Sequence, residues 1–212
     1  MNKTNDHGLA QALQANGYDL TASQQERLVQ YVDLLARWNK VFNLTAIRDP
    51  YEMVWLHLLD SLAISPYIRG ETIIDVGTGA GLPGIPLALI FPEKHFVLLD
   101  SNSKKTHFLI QACAELGLKN TQVEHARCET FQAPKGFDNI VSRAFSSIAV
   151  MLSATQHLLA PGGQFLAMKG VYPEQELAAV SPEGFAVSAV HQLQIKGLAA
   201  LRHVVCIEKN NR

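Results

Sequence analysis

Two acids, Asp75 and Asp100, each close a short apolar run, and glycines crowd behind the first of them. The stretch Thr72 to Phe91 reads TIIDVGTGAGLPGIPLALIF. Ile73, Ile74 and Val76 flank Asp75 in a β-branched run, which predicts a buried parallel strand. Glycines follow at 77, 79, 81 and 84, and then an apolar run with the length of a helix. A strand, a glycine turn and a helix start make a place where backbone can touch a ligand. Glycine has no Cβ to hold the ligand away, and the first N–H groups of a helix have no partner within it. Gly79-Ala80-Gly81-Leu82-Pro83-Gly84 also matches the dinucleotide fingerprint, as many tight strand–helix junctions do.

The acids sharpen this. Asp100 ends a second run, His95-Phe-Val-Leu-Leu-Asp100, and lies 21 residues beyond Gly79. That is about the spacing at which an acid accepts hydrogen bonds from ribose hydroxyls. A carboxylate at Asp75 disfavours a pyrophosphate beside it and suits a cationic ligand. S-adenosylmethionine carries a sulfonium and an ammonium and no phosphate, whereas NAD carries a pyrophosphate. On these residues the chain resembles the class I S-adenosylmethionine-dependent methyltransferases. An NAD-binding turn is the competing reading, with Asp75 against it.

The chain is long enough for one sizeable core, at 212 residues and 48% hydrophobic content. Charged residues make up 17%, too few for a disordered chain of that hydrophobicity. A net charge of −1 does not advertise nucleic-acid binding, although a local basic face is what such binding needs. Cys113, Cys128 and Cys206 are far apart and form no CxxC pair, so neither a zinc site nor a disulfide framework is expected, and no metal is predicted. The start, MNKTNDHGLAQALQ, has no apolar h-region, and no apolar stretch is long enough to span a bilayer. A cytoplasmic protein fits these features.

The elements that must position the acids follow from periodicity. Leu9 and Leu13 mark a short helix ending near Gly17. Thr21 with Gln24 forms a capping box for a helix carrying Leu28, Tyr31, Leu34, Leu35 and Trp38 on one face. Asn39 and Asn43 are placed to cap or bridge the turn after it. Pro50 starts another helix through Met53, His57, Asp60 and Ile64, ending by Gly70. Residues 1–70 are thus expected as a helical lobe and 71–212 as a Rossmann-like core, the two forming one compact unit. Within the core, strand and helix alternate as in a parallel sheet. Ser101 or Ser103 is expected to cap a helix through Leu116. Strands are predicted at Thr121–Ala126, Phe137–Ser142 and Gln164–Lys169, with a helix over 146–159 and a turn at Pro161-Gly162-Gly163. After a helix near Glu174–Ala179, the runs Ala186–Ile195 and His203–Glu208 have no helix between them and should pair antiparallel. The fold class is therefore α/β, a mostly parallel seven-stranded sheet with an antiparallel C-terminal hairpin.

Six segments in order carry a closer resemblance. They are Trp38-Asn39…Asn43-Leu44-Thr45, His57…Asp60-Ser61, Asp75 to Gly84, Leu99-Asp100-Ser101, Ser142-Arg143-Ala144 and Met168-Lys169-Gly170. Together they are similar to the bacterial 16S ribosomal RNA guanine-N(7) methyltransferases, the glucose-inhibited division protein B family, over about residues 20–208. Two positions depart from the family pattern, Ala80 where relatives often carry Pro, and Cys128 where a small or apolar residue precedes Glu129. Both would act through the backbone. The resemblance implies methyl transfer from S-adenosylmethionine to N7 of one guanine in the decoding-region loop of 16S rRNA, naked or within the small subunit. It links loss of that methyl group to resistance to streptomycin-type drugs. It implies that Gly77 and Leu82 line the methionine end of the cofactor, that Cys128 and Glu129 flank the adenine, and that Arg143 closes the site. Asp75, Gly79 and Asp100 join the cofactor set on charge and spacing.

Guanine N7 has a free lone pair, so no general base is required and none is obvious. Arg143 and Lys169, each ending a strand on the edge of the glycine turn, are the catalytic candidates, set against the ordinary reading of paired or solvated edge residues. His57 and Asp60 share a helix face. A structural link between the helices and the sheet suits them better than an acid–base pair. Lys104, Lys105 and His107, with Arg37, Lys40, Arg48 and Arg69, are candidates for an RNA-facing rim, though a solvated face is the default for each. A monomer is expected. Methylation of a small molecule or protein, and a non-catalytic S-adenosylmethionine-binding partner of ribosomes, stay open as alternatives.

Overall fold

A computed structural model describes residues 6–143, 145–180 and 184–210. Ala144, the last residue of the Ser142-Arg143-Ala144 segment, lies outside them. Helices α1 (Leu9–Ala15) and α2 (Ala22–Phe42) come first. The capping box holds, with the Gln24 N–H donating to Thr21 Oγ1 at 3.2 Å and the Thr21 N–H donating back to Gln24 Oε1 at 3.0 Å. Asn43 ends α2 at φ 49° in the left-handed region that asparagine tolerates.

The helix expected from Pro50 is three pieces: α3 (Pro50–Met53), a π-helical segment over Val54–Leu59, and α4 (Asp60–Leu62). Periodicity reading assumes one pitch throughout and does not reveal such an insertion.

Seven strands follow: β1 (Thr72–Val76), β2 (His95–Asp100), β3 (Thr121–His125), β4 (Phe137–Ser142), β5 (Leu159–Lys169), β6 (Phe185–Gln192) and β7 (His203–Lys209). Their order in the sheet is β3-β2-β1-β4-β5-β7-β6. The first five are parallel, and β7 runs antiparallel to both β5 and β6. Helices α5 (Gly84–Ile90), α6 (Ser103–Glu115), α7 (Ile148–Thr155) and α8 (Glu174–Ala178) complete the chain. The order reverses between β1 and β4, and in open α/β sheets ligands bind outside the carboxyl ends of the strands at such a switch point.

Two local expectations change. Asn102, not Ser101 or Ser103, caps α6, its Oδ1 accepting from the Lys104 N–H at 3.0 Å. Asparagine is as good an N-cap as serine, so residue type alone did not separate three adjacent candidates. Pro161-Gly162-Gly163 is not a turn ahead of a strand but an irregularity inside β5. Phe137 pairs with Leu159 and Asn139 with Gln164, and the surplus residues bulge out between them.

The sheet is apolar on both faces because β1 alternates. Ile74 and Val76 pack with Ile140, Phe165, Ile148 and Met151 on one side. Ile73 faces the other, with Leu87, Phe96 and Val141. A third cluster joins Leu28, Leu34 and Leu35 of α2 to Ile85 of α5 and Phe108 and Leu109 of α6. The glycine turn sits against this cluster through a buried hydrogen bond, the Tyr31 hydroxyl donating to the Ala80 carbonyl at 2.7 Å. Tyr31→Phe leaves that carbonyl buried without its donor. The variant should lose about 1–3 kcal/mol of stability in urea unfolding, with an unchanged m-value.

Candidate functional site

Asp75 is the next-to-last residue of β1 and is 1% exposed. Its Oδ2 accepts from the Thr78 hydroxyl at 2.6 Å and from the Gly84 N–H at 2.8 Å. One carboxylate oxygen thus ties the entry of the glycine turn to the helix that leaves it. Gly84 is required by this closeness: a Cβ there would lie 2.3 Å from Leu98 Cδ2 and 2.9 Å from Asp75 Oδ2. Oδ1 of Asp75 is buried without a hydrogen-bond partner among the described residues. Burial pushes the carboxyl up to about 6, against the pull of Thr78, the Gly84 N–H and Arg143. Asp75 therefore braces the turn from beneath and projects a field, rather than lining the surface a ligand would touch.

Asp100 holds the other side of the turn. Its Oδ2 accepts from the Gly79 N–H at 2.9 Å and its Oδ1 from the Asn102 N–H at 2.9 Å. Lys105 Nζ is 3.6 Å from Oδ2. Gly77 turns the chain at φ 68°, and a Cβ built on it meets nothing within 4 Å, so its face is open.

That opening is a cavity of about 330 Å³. Gly77 and Asp100 line it together with Cys128 and Glu129, which follow β3. Val76, Leu99 and Phe145 give it apolar walls. Burial raises the Cys128 thiol to about 11, so it stays protonated at neutral pH. Its own backbone N–H and the Cys128 thiol hold Glu129 below the usual carboxylate range. The sequence-predicted Gly77, Asp100, Cys128 and Glu129 are therefore brought to one place from three strand ends. Leu82 is not among the lining residues: its side chain is 2% exposed and packed in the cluster with Ile85 and Leu109. This donor set fits S-adenosylmethionine. Asp100 retains lone pairs for hydroxyl donors, the walls suit a flat base, and the orphaned Asp75 oxygen supplies negative potential under a cation.

Arg143 lies in a second cavity, of about 420 Å³, beyond the end of β4. Asp60, Lys169 and Arg202 line it as well. Asp60 is 4% exposed and carries two guanidiniums, Arg202 Nε donating to Oδ1 at 2.9 Å and Arg143 Nη1 lying 3.5 Å from Oδ2. Burial pushes its carboxyl up while both arginines pull it down. Asp60 and His57 do not bond to each other. The Thr45 hydroxyl and His57 Nε2 are 2.8 Å apart, and His57 Nδ1 is 3.0 Å from the Leu56 carbonyl. With Nδ1 donating to Leu56, Nε2 accepts from Thr45. Asn39 bridges the turn as expected, accepting from the Thr45 N–H at 2.9 Å and donating to the Ile47 carbonyl at 2.9 Å. Asp60 thus ties the helices to the sheet edge through both arginines, while His57 Nδ1 lies 3.4 Å from Arg143 Nη1.

Lys169 is less free than its position suggested. Its Nζ is 2.8 Å from Glu176 Oε2, and the same oxygen accepts the Ile148 N–H at the start of α7 at 2.7 Å. Arg69 does not belong to an RNA-facing rim at this edge. It precedes β1, at the opposite end of the strands, and pairs with Glu208 at 2.8 Å. Sequence reading missed Arg202 and Tyr31 as site-positioning residues. The register Lys169↔His203 places Arg202 beside Lys169, a relation that only the strand pairing supplies.

Burial and Arg143 lower His57 to about 4 from a reference of 6.5. Between these values the unfolded chain binds a proton that the folded chain rejects, so folding loses stability as pH falls through that window. His57→Gln removes the proton. Urea unfolding from pH 7.5 down to 4.5 should show the variant losing about 2 kcal/mol less than the parent.

Comparison with known proteins gives the chain its family. The family described as rRNA small subunit methyltransferase G matches residues 24–205. The ribosomal RNA small subunit methyltransferase G of Enterobacter sp. (strain 638) is 47% identical over 203 residues, covering 96% of this chain and 98% of its own. That of Pseudomonas aeruginosa (strain LESB58) is 50% identical over 202 residues, covering 95% and 94%. Among solved structures, a SAM-dependent methyltransferase from Aquifex aeolicus matches with TM-score 0.60 at 19% identity, over 75% of this chain and 93% of its own. One from Thiobacillus denitrificans, solved with S-adenosyl-L-homocysteine, matches with TM-score 0.54 at 11% identity, over 72% and 91%. The two structural likenesses establish the Rossmann-like fold of the sheet, and the sequence matches run nearly end to end: the chain belongs to the rRNA small subunit methyltransferase G family.

Proposed function

We propose that the protein transfers a methyl group from S-adenosylmethionine to N7 of a guanine in the decoding-region loop of 16S rRNA, giving 7-methylguanosine. The observation that carries this reading is the pair of cavities flanking the end of β4. One is lined by Gly77, Asp100, Cys128 and Glu129, the other by Arg143, Lys169 and Arg202. A cofactor cradle and a cationic pocket lie along one sheet edge, in a chain of this family.

When bound, S-adenosylmethionine supplies an electrophilic methyl group on a sulfonium. Asp100 accepts from ribose hydroxyls, and Cys128 and Glu129 border the base. The Gly77 backbone approaches the methionine end, and Asp75 sets a negative potential beneath it. Guanine N7 presents its lone pair without losing a proton, so no side chain need act as base. The neutral, doubly hydrogen-bonded His57 ring agrees with that. What remains for the protein is alignment, with nucleophile and methyl carbon about 3–3.5 Å apart and in line with sulfur. Arg143 donates to the guanine carbonyl, to the cofactor carboxylate or to a phosphate while Asp60 anchors it. Lys169 faces RNA once a phosphate competes with Glu176 for its ammonium. RNA within the small subunit or an assembly intermediate is the substrate, and the enzyme works as a cytoplasmic monomer.

The test uses small subunits from a strain lacking the gene, purified protein and methyl-labelled S-adenosylmethionine, with nucleosides identified by mass spectrometry. Label in 7-methylguanosine at one site is expected; label elsewhere, or cofactor binding with no label in RNA, overturns the reading. Arg143→Ala should lower the methylation rate about 100-fold or more while thermal unfolding stays within a few degrees. Asp75→Asn should weaken S-adenosylmethionine binding about tenfold by calorimetry, because the amide keeps one acceptor for the turn but removes the charge.

A further inference from the structure

The C-terminal end of α2 carries an aromatic surface that the cofactor cradle and the Arg143 cavity do not use. Phe42 is 39% exposed and Val41 is 71% exposed. Phe42 stacks on Trp38 with ring centroids 5.1 Å apart, and Trp38 packs on Phe108 of α6 at 5.6 Å. Arg37 on the same helix meets Glu115, the last residue of α6, at 3.6 Å. The two helices thus run in opposite senses along this contact, which carries Val41 and Phe42 toward the start of α6. There Lys104 is exposed and Lys105 reaches Asp100 beside Gly79. Lys40 and Lys104 are exposed and form no ion pair among the described residues. Two unpaired lysines, Lys40 on α2 and Lys104 at the start of α6, thus stand on the two helices that carry the aromatic stack.

An apolar face held open to water beside unpaired lysines suits a partner with flat apolar faces and a polyanionic backbone. Unpaired RNA bases have that chemistry, since each presents a π-face for an aromatic ring and a phosphate for a cation. A buried structural role for Phe42 does not account for its exposure, because Trp38 already closes the cluster over Phe108. We propose that Phe42, backed by Trp38, stacks on an unpaired base flanking the methylated nucleotide, with Lys40 and Lys104 on the adjoining phosphates. This rests on the rRNA reading above and specifies how the RNA strand is held outside the reacting pocket.

Phe42→Leu keeps apolar bulk and removes the aromatic face; Phe42→Tyr restores it. The leucine variant should bind small subunits about tenfold more weakly and the tyrosine variant like the parent, with S-adenosylmethionine affinity unchanged in both. Lys40→Gln with Lys104→Gln should flatten the slope of log affinity against log salt by about one to two. A photo-crosslinking residue placed at Val41 should attach to rRNA. The proposal is overturned if the leucine variant binds subunits as tightly as the parent, or if the Val41 crosslink goes only to a ribosomal protein. The parent protein labels rRNA or does not in the same assay, so a failure of the function itself is seen separately. Circular dichroism and thermal unfolding of each variant check that a binding loss is not a folding loss.

Discussion

A single carboxylate oxygen holds the glycine turn in shape. Asp75 Oδ2 accepts from Thr78 and from Gly84, so the strand end, the turn and the first residue of α5 are fixed to one point. Burying a carboxylate costs free energy unless its lone pairs are used, and here only one oxygen is satisfied. The unsatisfied oxygen leaves negative potential beneath the turn, which a cationic ligand nearby would benefit from. The glycines follow from this constraint. Position 84 must lack a Cβ because Leu98 and Asp75 leave no room for one.

Asp60 plays the matching part at the neighbouring cavity. Arg143 comes from the end of β4 and Arg202 from the residue before β7, and neither strand fixes the other's side chain. A buried carboxylate supplied by the N-terminal helices gives both guanidiniums one anchor. Removing it would leave two cations close together and poorly solvated, which is worse than losing a surface ion pair. The N-terminal helices therefore brace the glycine turn through Tyr31 and reach the arginine cavity itself through Asp60.

Much of this was legible in the sequence, because the features follow local rules. The β-branched run before Asp75, the capping box at Thr21 and the separation of Asp100 from Gly79 each specify a local structure whatever surrounds it. Asp100 followed from its spacing to Gly79, whereas Gly77, Cys128 and Glu129 were named through the family resemblance; the parallel strands deliver all four to one edge. What was not legible depends on partners far apart in sequence. Arg202 gains its position from antiparallel pairing of β7 with β5, and Lys169 is held by Glu176 on α8, a contact with no periodic signature. Leu82 shows the reverse: its motif position is right beside the turn, yet its side chain packs inward. Arg69 was grouped with the basic rim by charge alone, and topology puts it at the other end of the sheet.

The π-helical segment Val54–Leu59 bears on all of this. Adding one residue to a helix turns everything after it by about 100° relative to everything before. Met53, Leu58, Leu59 and Leu62 remain buried across the insertion, so the apolar stripe is re-phased rather than broken. The same rotation delivers Asp60 to the two arginines while Met53 and Val54 keep their places in the core. The segment thus works as an angular spacer. It lets one helix satisfy two directions that a regular pitch would set in conflict, and the alignment of Arg143 depends on the count of residues between Pro50 and Asp60 as much as on their chemistry.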